Sequence, residues 1–267
     1  MILNISNRSG IIERGVYSFG LSDYPNISPL EMKNLVAFLN YEKSHGRQTE
    51  IVCEDKNVIA TVNHAVAHPE IAESYIFPEI IEGDCACNQK GCLTRFVCHS
   101  TDIKATKSIL SSGKLLSAVK VYGKTGDELA YEKRDSLWND PADFFEYIMF
   151  NWGNCIFGEY VVMSSHIDNP SEEHFENSIN PGVRFYFSYE DILRHPGHTY
   201  DGYHIVKVKD EIVLSKYLHA CIIPEQNKTE MVGFILPELA PRVYYIPHNV
   251  LSLRDWSEQI YDFISKL

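Results

Sequence analysis

The run RFVCHSTDIKATKSILSSGKLLS, residues 95–117, carries the pattern that decides the fold in the centre of the chain. Residues 94–98 form a short, mostly apolar stretch, which predicts a buried strand that ends at His99. Residues 103–112 have the apolar spacing of a helix, and Gly113 is a typical residue at a helix end. The run therefore predicts an imidazole at a strand end beside a helix N-terminus, where backbone N–H groups favour an anionic group. The plain alternative is a capped helix after a core strand, with His99 hydrogen-bonded within the protein.

Around this run, helices are expected early in the chain and strands late. The helix signals lie at residues 28–43, 57–67, 140–150 and 256–267, and the strand signals lie at residues 49–53, 159–164, 183–188, 203–208, 219–223 and 242–246. This order predicts an α+β fold with mostly antiparallel or mixed strand pairing. We expect two parts, an N-terminal helical accessory segment at residues 1–83 and a main α+β domain at residues 84–267.

The composition is that of a folded globular protein. The chain has 267 residues, of which 45% are hydrophobic and 12% aromatic, and these proportions exclude wholesale disorder. No apolar run is long enough for a membrane-spanning helix, and the first residues lack the pattern of a secretory signal. Seven cysteines are spread along the chain, and an odd number fits a reduced cytoplasmic protein better than a disulfide scaffold. We therefore expect a cytoplasmic protein with no membrane partner.

Charge is distributed unevenly along the chain. The 24 basic and 36 acidic side chains give a net charge of −12, which argues against a broad nucleic-acid-binding or membrane-binding surface. Residues 95–124 are the exception, because they carry six basic side chains against Asp102 alone. This basic island indicates either a solvated helix face or a local site for an anionic ligand, such as one with phosphates.

Residues 95–117 also resemble the first motif of the ADP-ribosyltransferase superfamily. In that motif a strand ends in His-x-Thr, and a helix then leads into Ile-Leu-x-x-Gly-Leu-Leu-Ser; the corresponding residues here are His99-Ser100-Thr101 and the run ILSSGKLLS. The motif is similar to those of RNA 2′-phosphotransferases and of DNA-modifying ADP-ribosyltransferases in toxin–antitoxin systems. The resemblance implies split mixed or antiparallel sheets with a cleft for NAD, which His99, Ser100 and Thr101 would contact. The implied reaction is transfer of ADP-ribose from NAD, or a related 2′-phosphate transfer, to an acceptor that is a nucleic acid or a protein.

Two further regions gain candidate roles from this resemblance. Residues 182–188, GVRFYFS, are similar to an aromatic-rich strand that lies across the nicotinamide pocket, so Tyr186 and Phe187 are candidates for stacking on the ring. Arg134 stands where the DNA-modifying branch has an Arg in its catalytic region, and it is a candidate for holding a phosphate. The alternatives are that the aromatic side chains alternate into the core and that Arg134 is a surface charge.

The implied chemistry also needs a carboxylate, because positive charge develops on the ribose when NAD is cleaved. Members of the superfamily carry a Glu just before a late strand of the type Glu-Val-Leu-Val-Pro. The comparable run here is ACIIP at residues 220–224, in which Ala220 stands in place of that Glu. Glu225 is the candidate catalytic carboxylate, together with Arg134 as the second catalytic candidate, and Glu230 is the alternative. A third interpretation is a non-catalytic ligand-binding member that has lost the Glu.

A histidine-rich segment provides an interpretation from another class of protein. His195, His198, Asp201 and His204 lie among Pro-Gly and Asp-Gly pairs that indicate a loop. Imidazoles and a carboxylate this close in sequence suit a metal-dependent hydrolase with one open coordination position. The alternative is a histidine-rich turn that leads into a strand.

A cysteine-rich loop precedes the central strand. Cys85, Cys87 and Cys92 are closely spaced, and Cys98 follows within the expected strand. Thiolates on a loop are potential zinc ligands, but the paired Cys-x-x-Cys spacing of zinc knuckles is absent. The resemblance implies NAD as the cofactor, and zinc is considered but not favoured over free thiols.

Overall fold

The computed structural model describes residues 1–267 apart from 9–11, 14, 69, 72–94, 133–139, 154–156, 164–166, 168–169, 178 and 250. The chain divides into two units of three segments each. Unit 1 comprises Met1–Glu79, Ser117–Tyr147 and Thr199–Lys207, and unit 2 comprises Ile80–Leu116, Ile148–His198 and Val208–Leu267. This division differs from the expected boundary between residues 83 and 84, because two later segments group with the N-terminal residues.

Strands and mostly short helices are mixed along the described residues. The strands are β1 (Ile2–Ser6), β2 (Ile12–Glu13), β3 (Val16–Gly20), β4 (Glu50–Val52), β5 (Phe96–Thr101), β6 (Lys114–Leu116), β7 (Tyr147–Met149), β8 (Asn151–Trp152), β9 (Val183–Ser188), β10 (His198–Thr199), β11 (Lys207–Lys209), β12 (Glu211–Val213), β13 (Leu218–Pro224) and β14 (Val243–Ile246). The α-helices are α1 (Pro29–Ser44), α2 (Lys56–Ala67), α3 (Ile103–Ser112), α4 (Ala118–Tyr122), α5 (Gly126–Glu132), α6 (Phe157–Met163), α7 (Glu172–Glu176), α8 (Tyr189–Leu193), α9 (Leu214–Tyr217), α10 (Lys228–Met231) and α11 (Leu253–Ile264). Short 3-10 helices span Ala142–Glu146, Glu225–Asn227, Val232–Phe234 and Ala240–Arg242. The fold is α+β, as the sequence predicted.

None of the helices in the described ranges combines the length and the apolar character that a membrane crossing requires.

Unit 1 contains a four-stranded sheet in the order β2-β3-β1-β4. The central strand β1 pairs in parallel with both β3 and β4, and β2 pairs with β3 in antiparallel fashion. Leu3 and Ile5 of β1 are buried, as are Leu35 and Phe38 of the following helix α1. An apolar core therefore forms in unit 1.

Helix α1 begins where its local sequence predicts. The Ser28 hydroxyl accepts a hydrogen bond from the Glu31 backbone N–H, and the Glu31 carboxylate accepts one from the Ser28 N–H over 2.8 Å. This reciprocal pair is a capping box, and Pro29 suits the first helical position. The sequence prediction of a helix start at this point is confirmed.

Unit 2 is organised around a five-stranded sheet in the order β14-β13-β9-β5-β8. Strand β9 is antiparallel to both of its neighbours, β5 and β13, so those two strands run in the same direction. Strand β14 is parallel to β13. The last residues of β5, β13 and β14 and the first residues of β9 therefore lie at one end of the sheet, which we call the carboxyl edge.

The register of this sheet assigns each side chain to a face. Tyr186 of β9 lies opposite Cys98 of β5, and His99 lies opposite Phe185. Because side chains alternate along a strand, Tyr186 and His99 belong to opposite faces. Helix α11 covers the Tyr186 face, where Tyr186 and Cys98 share an apolar cluster with Trp256.

Two predictions of secondary structure, for residues 1–83 and for residues 159–164, need correction. Residues 1–83 are not purely helical, since they contain β1 to β4 as well as α1 and α2. Residues 159–164 were expected as a strand, but 157–163 form helix α6. The period of so short an apolar run does not distinguish a strand from a buried helix, and contacts distant in sequence decide the outcome.

Two further expected elements also take another form. Residues 203–205 form bends, and β11 begins only at Lys207. The reason is local, because the Asp201 carboxylate accepts the backbone N–H groups of Tyr203 and His204 over 3.0 and 2.7 Å, and such a bond pattern closes a turn. The helix expected at 140–150 is a 3-10 helix at Ala142–Glu146 followed by β7.

Candidate functional site

His99 is held near the end of β5 by a single backbone hydrogen bond. Its Nδ1 lies 3.1 Å from the carbonyl oxygen of Met149. A carbonyl oxygen only accepts, so Nδ1 carries the proton and Nε2 keeps a lone pair for another partner. Burial lowers the pKa of the His99 side chain below its ordinary value. The imidazole is therefore neutral at pH 7 and oriented by the strand.

The residues after His99 form a strand end and a capped helix start. Ser100 and Thr101 are partly exposed at the end of β5. The Asp102 carboxylate accepts the backbone N–H of Ala105 over 2.6 Å and caps α3. Thr101 shares a face with His99, whereas Ser100 points to the other face. The predicted helix 103–112 and its stop at Gly113 are confirmed, and the predicted strand is present but continues past His99 to Thr101.

Glu225 lies at the same carboxyl edge. It opens the 3-10 helix that follows β13, and its side chain is exposed. One strand, β9, separates β13 from β5, so the two strand ends are about 10 Å apart at the usual spacing of neighbouring strands. The alternative carboxylate, Glu230, is instead paired with Lys107 of α3 at 2.7 Å. Of the two candidate carboxylates, Glu225 is therefore the one that does not take part in this ion pair.

Tyr186 and Phe187 are placed in the core rather than at an open surface. Both side chains are 0% exposed. Tyr186 packs on the face covered by α11, and the ring centroid of Phe187 lies 5.4 Å from that of Phe150 on the other face. Neither ring presents a free face, so the structure does not bring Tyr186 and His99 together in one cleft.

Ala220 is also a core position. It lies opposite Tyr186 in the sheet and belongs to the same apolar cluster as Trp256. A glutamate at this position would place its carboxylate among apolar side chains, where a charge is costly to bury. Ala220, which the resemblance places at the superfamily Glu, therefore lies in the core and not at the carboxyl edge.

A buried ion pair that the sequence did not reveal lies beside the carboxyl edge. Arg184, the second residue of β9, donates from Nε to Glu159 of α6 over 2.7 Å, and both side chains are buried. Arg184 also donates to the Ser257 hydroxyl and lies over the Trp256 ring, with 5.2 Å from Cζ to the ring centroid. The only sequence signal was an arginine inside an otherwise apolar strand.

Asp201 and His204 of the histidine-rich segment form an ion-pair cluster with Lys207 within unit 1. One oxygen of Asp201 lies 2.8 Å from His204 Nδ1 and 2.8 Å from Lys207 Nζ. Burial opposes ionisation of Asp201, but His204 and Lys207 outweigh it and hold the pKa of this carboxyl well below its usual range. Lys207 Nζ lies 3.8 to 4.5 Å from the centroids of three aromatic rings, those of Tyr41, Phe144 and Tyr147.

The other two residues of the proposed metal set make local contacts of their own. His195 Nδ1 accepts the Gly197 backbone N–H over 3.1 Å, and His198 Nδ1 lies 2.7 Å from the carbonyl of His195. Both histidines belong to unit 2, whereas Asp201 and His204 belong to unit 1. Within the described residues, no group of three or more His, Cys, Asp or Glu side chains is arranged to hold a metal ion. The hydrolase interpretation has no geometric support there.

Some predicted positions lie outside the described residues. They are Arg134, Cys85, Cys87 and Cys92. Cys98 is described, and it is a buried free thiol in β5.

Comparison with known proteins gives no match: no family model, curated protein or solved structure is similar to the chain. The chain's own residues therefore have to carry any functional assignment.

Proposed function

We propose that the protein transfers ADP-ribose from NAD, or carries out the related 2′-phosphate transfer, at the carboxyl edge of unit 2, on an ADP-ribosyltransferase-like arrangement of split sheets. One observation carries the proposal: His99 and Thr101 of β5 and Glu225 after β13 come to the same edge of one sheet. Residues so far apart in sequence come to the same edge because β9 runs antiparallel between their strands. The acceptor is a nucleic acid or a protein.

The polar groups at this edge suit one part of NAD. His99 has a free Nε2, and Thr101 lies on the same face, so both offer hydrogen bonds to ribose hydroxyls or to the carboxamide. The N-terminus of α3, a ten-residue helix, favours phosphate through its N–H groups and dipole. Lys104, exposed in its first turn, adds a positive charge. These residues offer no stacking surface for the nicotinamide ring, because the side chains of Tyr186 and Phe187 are buried in the core.

Glu225 is the carboxylate proposed for the reaction. Bound NAD would supply the ADP-ribosyl group and the nicotinamide leaving group. A carboxylate beside the ribose stabilises the positive charge that develops there, or accepts the proton of the attacking acceptor. An exposed side chain at a strand end can reach such a position without burying an unpaired charge.

The test is release of nicotinamide from NAD by the full chain, with DNA, RNA and protein acceptors supplied. His99→Ala and Glu225→Gln should each lower the rate by about 100-fold or more. His198→Ala and Glu238→Gln are matched controls, since both residues are exposed in unit 2 and should leave the rate unchanged. The proposal fails if NAD is neither bound nor consumed, or if the control variants lose as much activity as the test variants.

The buried Ala220 favours a second candidate, a binding module that holds NAD without cleaving it. The two candidates differ in one measurement. Saturable NAD binding by the wild-type chain, weakened by His99→Ala but without nicotinamide release, supports the binding module. Release that depends on Glu225 supports the transferase.

A further inference from the structure

Helix α2 ends in two histidines that the proposed function does not use. His64 lies in the last turn of the helix, and His68, four positions later, is its C-terminal cap. The backbone N–H of His68 donates to the His64 carbonyl over 3.0 Å, so the helical turn between them is closed. Side chains four positions apart in a helix lie on the same face, one above the other. The two imidazoles are therefore neighbours.

The fold presents these two imidazoles to solvent. The residues that α2 buries are Val58, Val62 and Ala65, whereas His64 and His68 are exposed. The two ring centroids lie 4.4 Å apart, with the ring planes inclined at 48°. Metal–imidazole bonds are about 2.0–2.1 Å long, so two nitrogens on one ion lie within about 4 Å of each other. Rings this close can supply both nitrogens.

Glu70 orients one of the two rings. Its Oε1 lies 3.1 Å from His68 Nδ1. A carboxylate only accepts, so Nδ1 carries a proton and Nε2 is the nitrogen left for a metal ion. Histidines that bind metals almost always donate their other ring N–H to a carboxylate or a carbonyl, which fixes the ring and makes the binding nitrogen more basic. Glu70 is therefore placed to position His68.

The nitrogen donors determine the class of ion. Neutral imidazole suits Zn²⁺, Cu²⁺ and Ni²⁺, whereas Mg²⁺ and Ca²⁺ prefer oxygen ligands. In the part of the chain that the structure describes, no group of three or more His, Cys, Asp or Glu side chains is arranged around a metal position. An ion on His64 and His68 would therefore keep water in its remaining positions.

We propose that His64 and His68 form a two-histidine site for one first-row transition-metal ion, such as Ni²⁺ or Zn²⁺, with Glu70 as the positioning residue for His68. The site does not depend on the NAD reaction, because α2 belongs to unit 1 whereas His99 and Glu225 belong to unit 2.

The experiment is calorimetric titration of the full chain with nickel chloride at about pH 8, because protons compete with metal ions for imidazole nitrogens. Saturable Ni²⁺ binding is expected, with no binding of Mg²⁺. His64→Gln and His68→Gln each remove one of two ligands and should lower the Ni²⁺ affinity about tenfold or more. His198→Gln, at an exposed histidine of unit 2, is the control and should bind as the wild type does.

A further variant separates the spacing of the histidines from their number. Asn63→His/His64→Gln keeps two histidines in α2 but puts them five positions apart, about 140° around the helix. Asn63 is exposed, so the new side chain fits. This double variant should bind Ni²⁺ as weakly as His64→Gln does.

The role of Glu70 has its own variants. Glu70→Ala should lower the Ni²⁺ affinity about tenfold, and Glu70→Gln, which keeps an acceptor oxygen, should restore part of it. The contact with His68 is exposed, with side chains 48% and 71% accessible, so neither variant should change the free energy of unfolding by more than about 1 kcal/mol. Glu54→Ala, at another exposed position of unit 1, should leave the Ni²⁺ affinity unchanged.

A second readout locates the ion. Circular dichroism checks that each variant is folded, and the imidazole NMR signals of His64 and His68, assigned with the single variants, should broaden first as paramagnetic Ni²⁺ is added. The proposal is overturned if Ni²⁺ does not bind saturably, if Mg²⁺ binds as well, or if the His64, His68 or spacing variants bind as tightly as the wild type. Equal losses in His198→Gln, or equal broadening at all histidines, would also overturn it. An unchanged affinity in Glu70→Ala would contradict the positioning role.

Discussion

Arg184 and Glu159 form an ion pair that is shut off from solvent. Arg184 Nε lies 2.7 Å from Glu159 Oε1, and the two side chains are 0% and 1% exposed. The second oxygen of Glu159 accepts the Gly182 backbone N–H over 2.9 Å, and Arg184 also donates to Ser257. The pair therefore connects α6, the start of β9 and α11 beside the carboxyl edge.

Breaking this pair should destabilise the protein strongly. Glu159→Leu leaves the Arg184 charge buried without its partner, which costs about 3–5 kcal/mol. Urea unfolding of the full chain measures the loss. The exposed pair Arg254–Glu176, in the same unit, provides the control, because Glu176→Leu should cost under about 1 kcal/mol. Equal losses in the two variants would contradict the role assigned to burial.

Lys207 should be important for the stability of unit 1. Lys207→Met removes an ion-pair partner of the buried Asp201 and takes the ammonium group away from three aromatic rings. Asp201 keeps its contacts with His204 and with two backbone N–H groups. We therefore expect the free energy of unfolding to fall by about 3 kcal/mol, the lower end of the range for a broken buried ion pair. Thermal and urea unfolding measure it. Lys43→Met, at an exposed position of α1, should have little effect, and a comparable loss there would argue against the cluster.

Gly202 should not tolerate a side chain. Its φ of +74° is left-handed, and a Cβ would lie 2.6 Å from the backbone nitrogen of Phe38 and against the carbonyl of Asn34. The left-handed conformation alone costs about 1–2 kcal/mol, and the overlap adds about 1–3 kcal/mol. Gly46→Ala, at a φ of +72° with open space around it, isolates the first contribution. Urea unfolding should show a clearly larger loss for Gly202→Ala, and equal losses would refute the close approach.

Acid should destabilise the protein through its histidines. Burial lowers the pKa of His99, His195, His219 and His248 in the folded chain below the ordinary 6.5. Below pH 6.5 the unfolded chain therefore binds protons that the folded chain does not, so stability is highest above that pH and declines as pH falls. Unfolding free energies measured between about pH 8 and pH 5 should show this decline, and His99→Gln should make it shallower. A free energy of unfolding that stays constant over this pH range would contradict the lowered pKa values of the histidines.

The parts of the fold that depend on residues close together in sequence could be predicted from the sequence. Ser28 and Pro29 mark the start of α1 because capping involves residues three apart, and Asp102 and Gly113 bound α3 in the same way. The alternating run of β9 was also predicted. These signals are local, so no knowledge of distant partners was needed.

The arrangement of the candidate site could not be predicted in this way. Glu225 lies at the same edge as His99 because β9 is inserted between β13 and β5, and strand order is determined by contacts distant in sequence. The burial of Tyr186 depends on α11, whose residues follow about 70 positions later. Its proposed stacking role remains a prediction, and the enclosed ring weighs against it.

The interleaving of the two units has a consequence for synthesis on the ribosome. Asn34 and the Tyr200 hydroxyl are hydrogen-bonded within unit 1 although 166 positions separate them. The N-terminal sheet therefore emerges from the ribosome long before the residues around Gly202 that pack on α1. Unit 1 completes its core only when most of unit 2 has already been translated, so no contiguous fragment that ends before residue 207 reproduces it. Expression of residues 84–267 alone would likewise leave two segments without their partners.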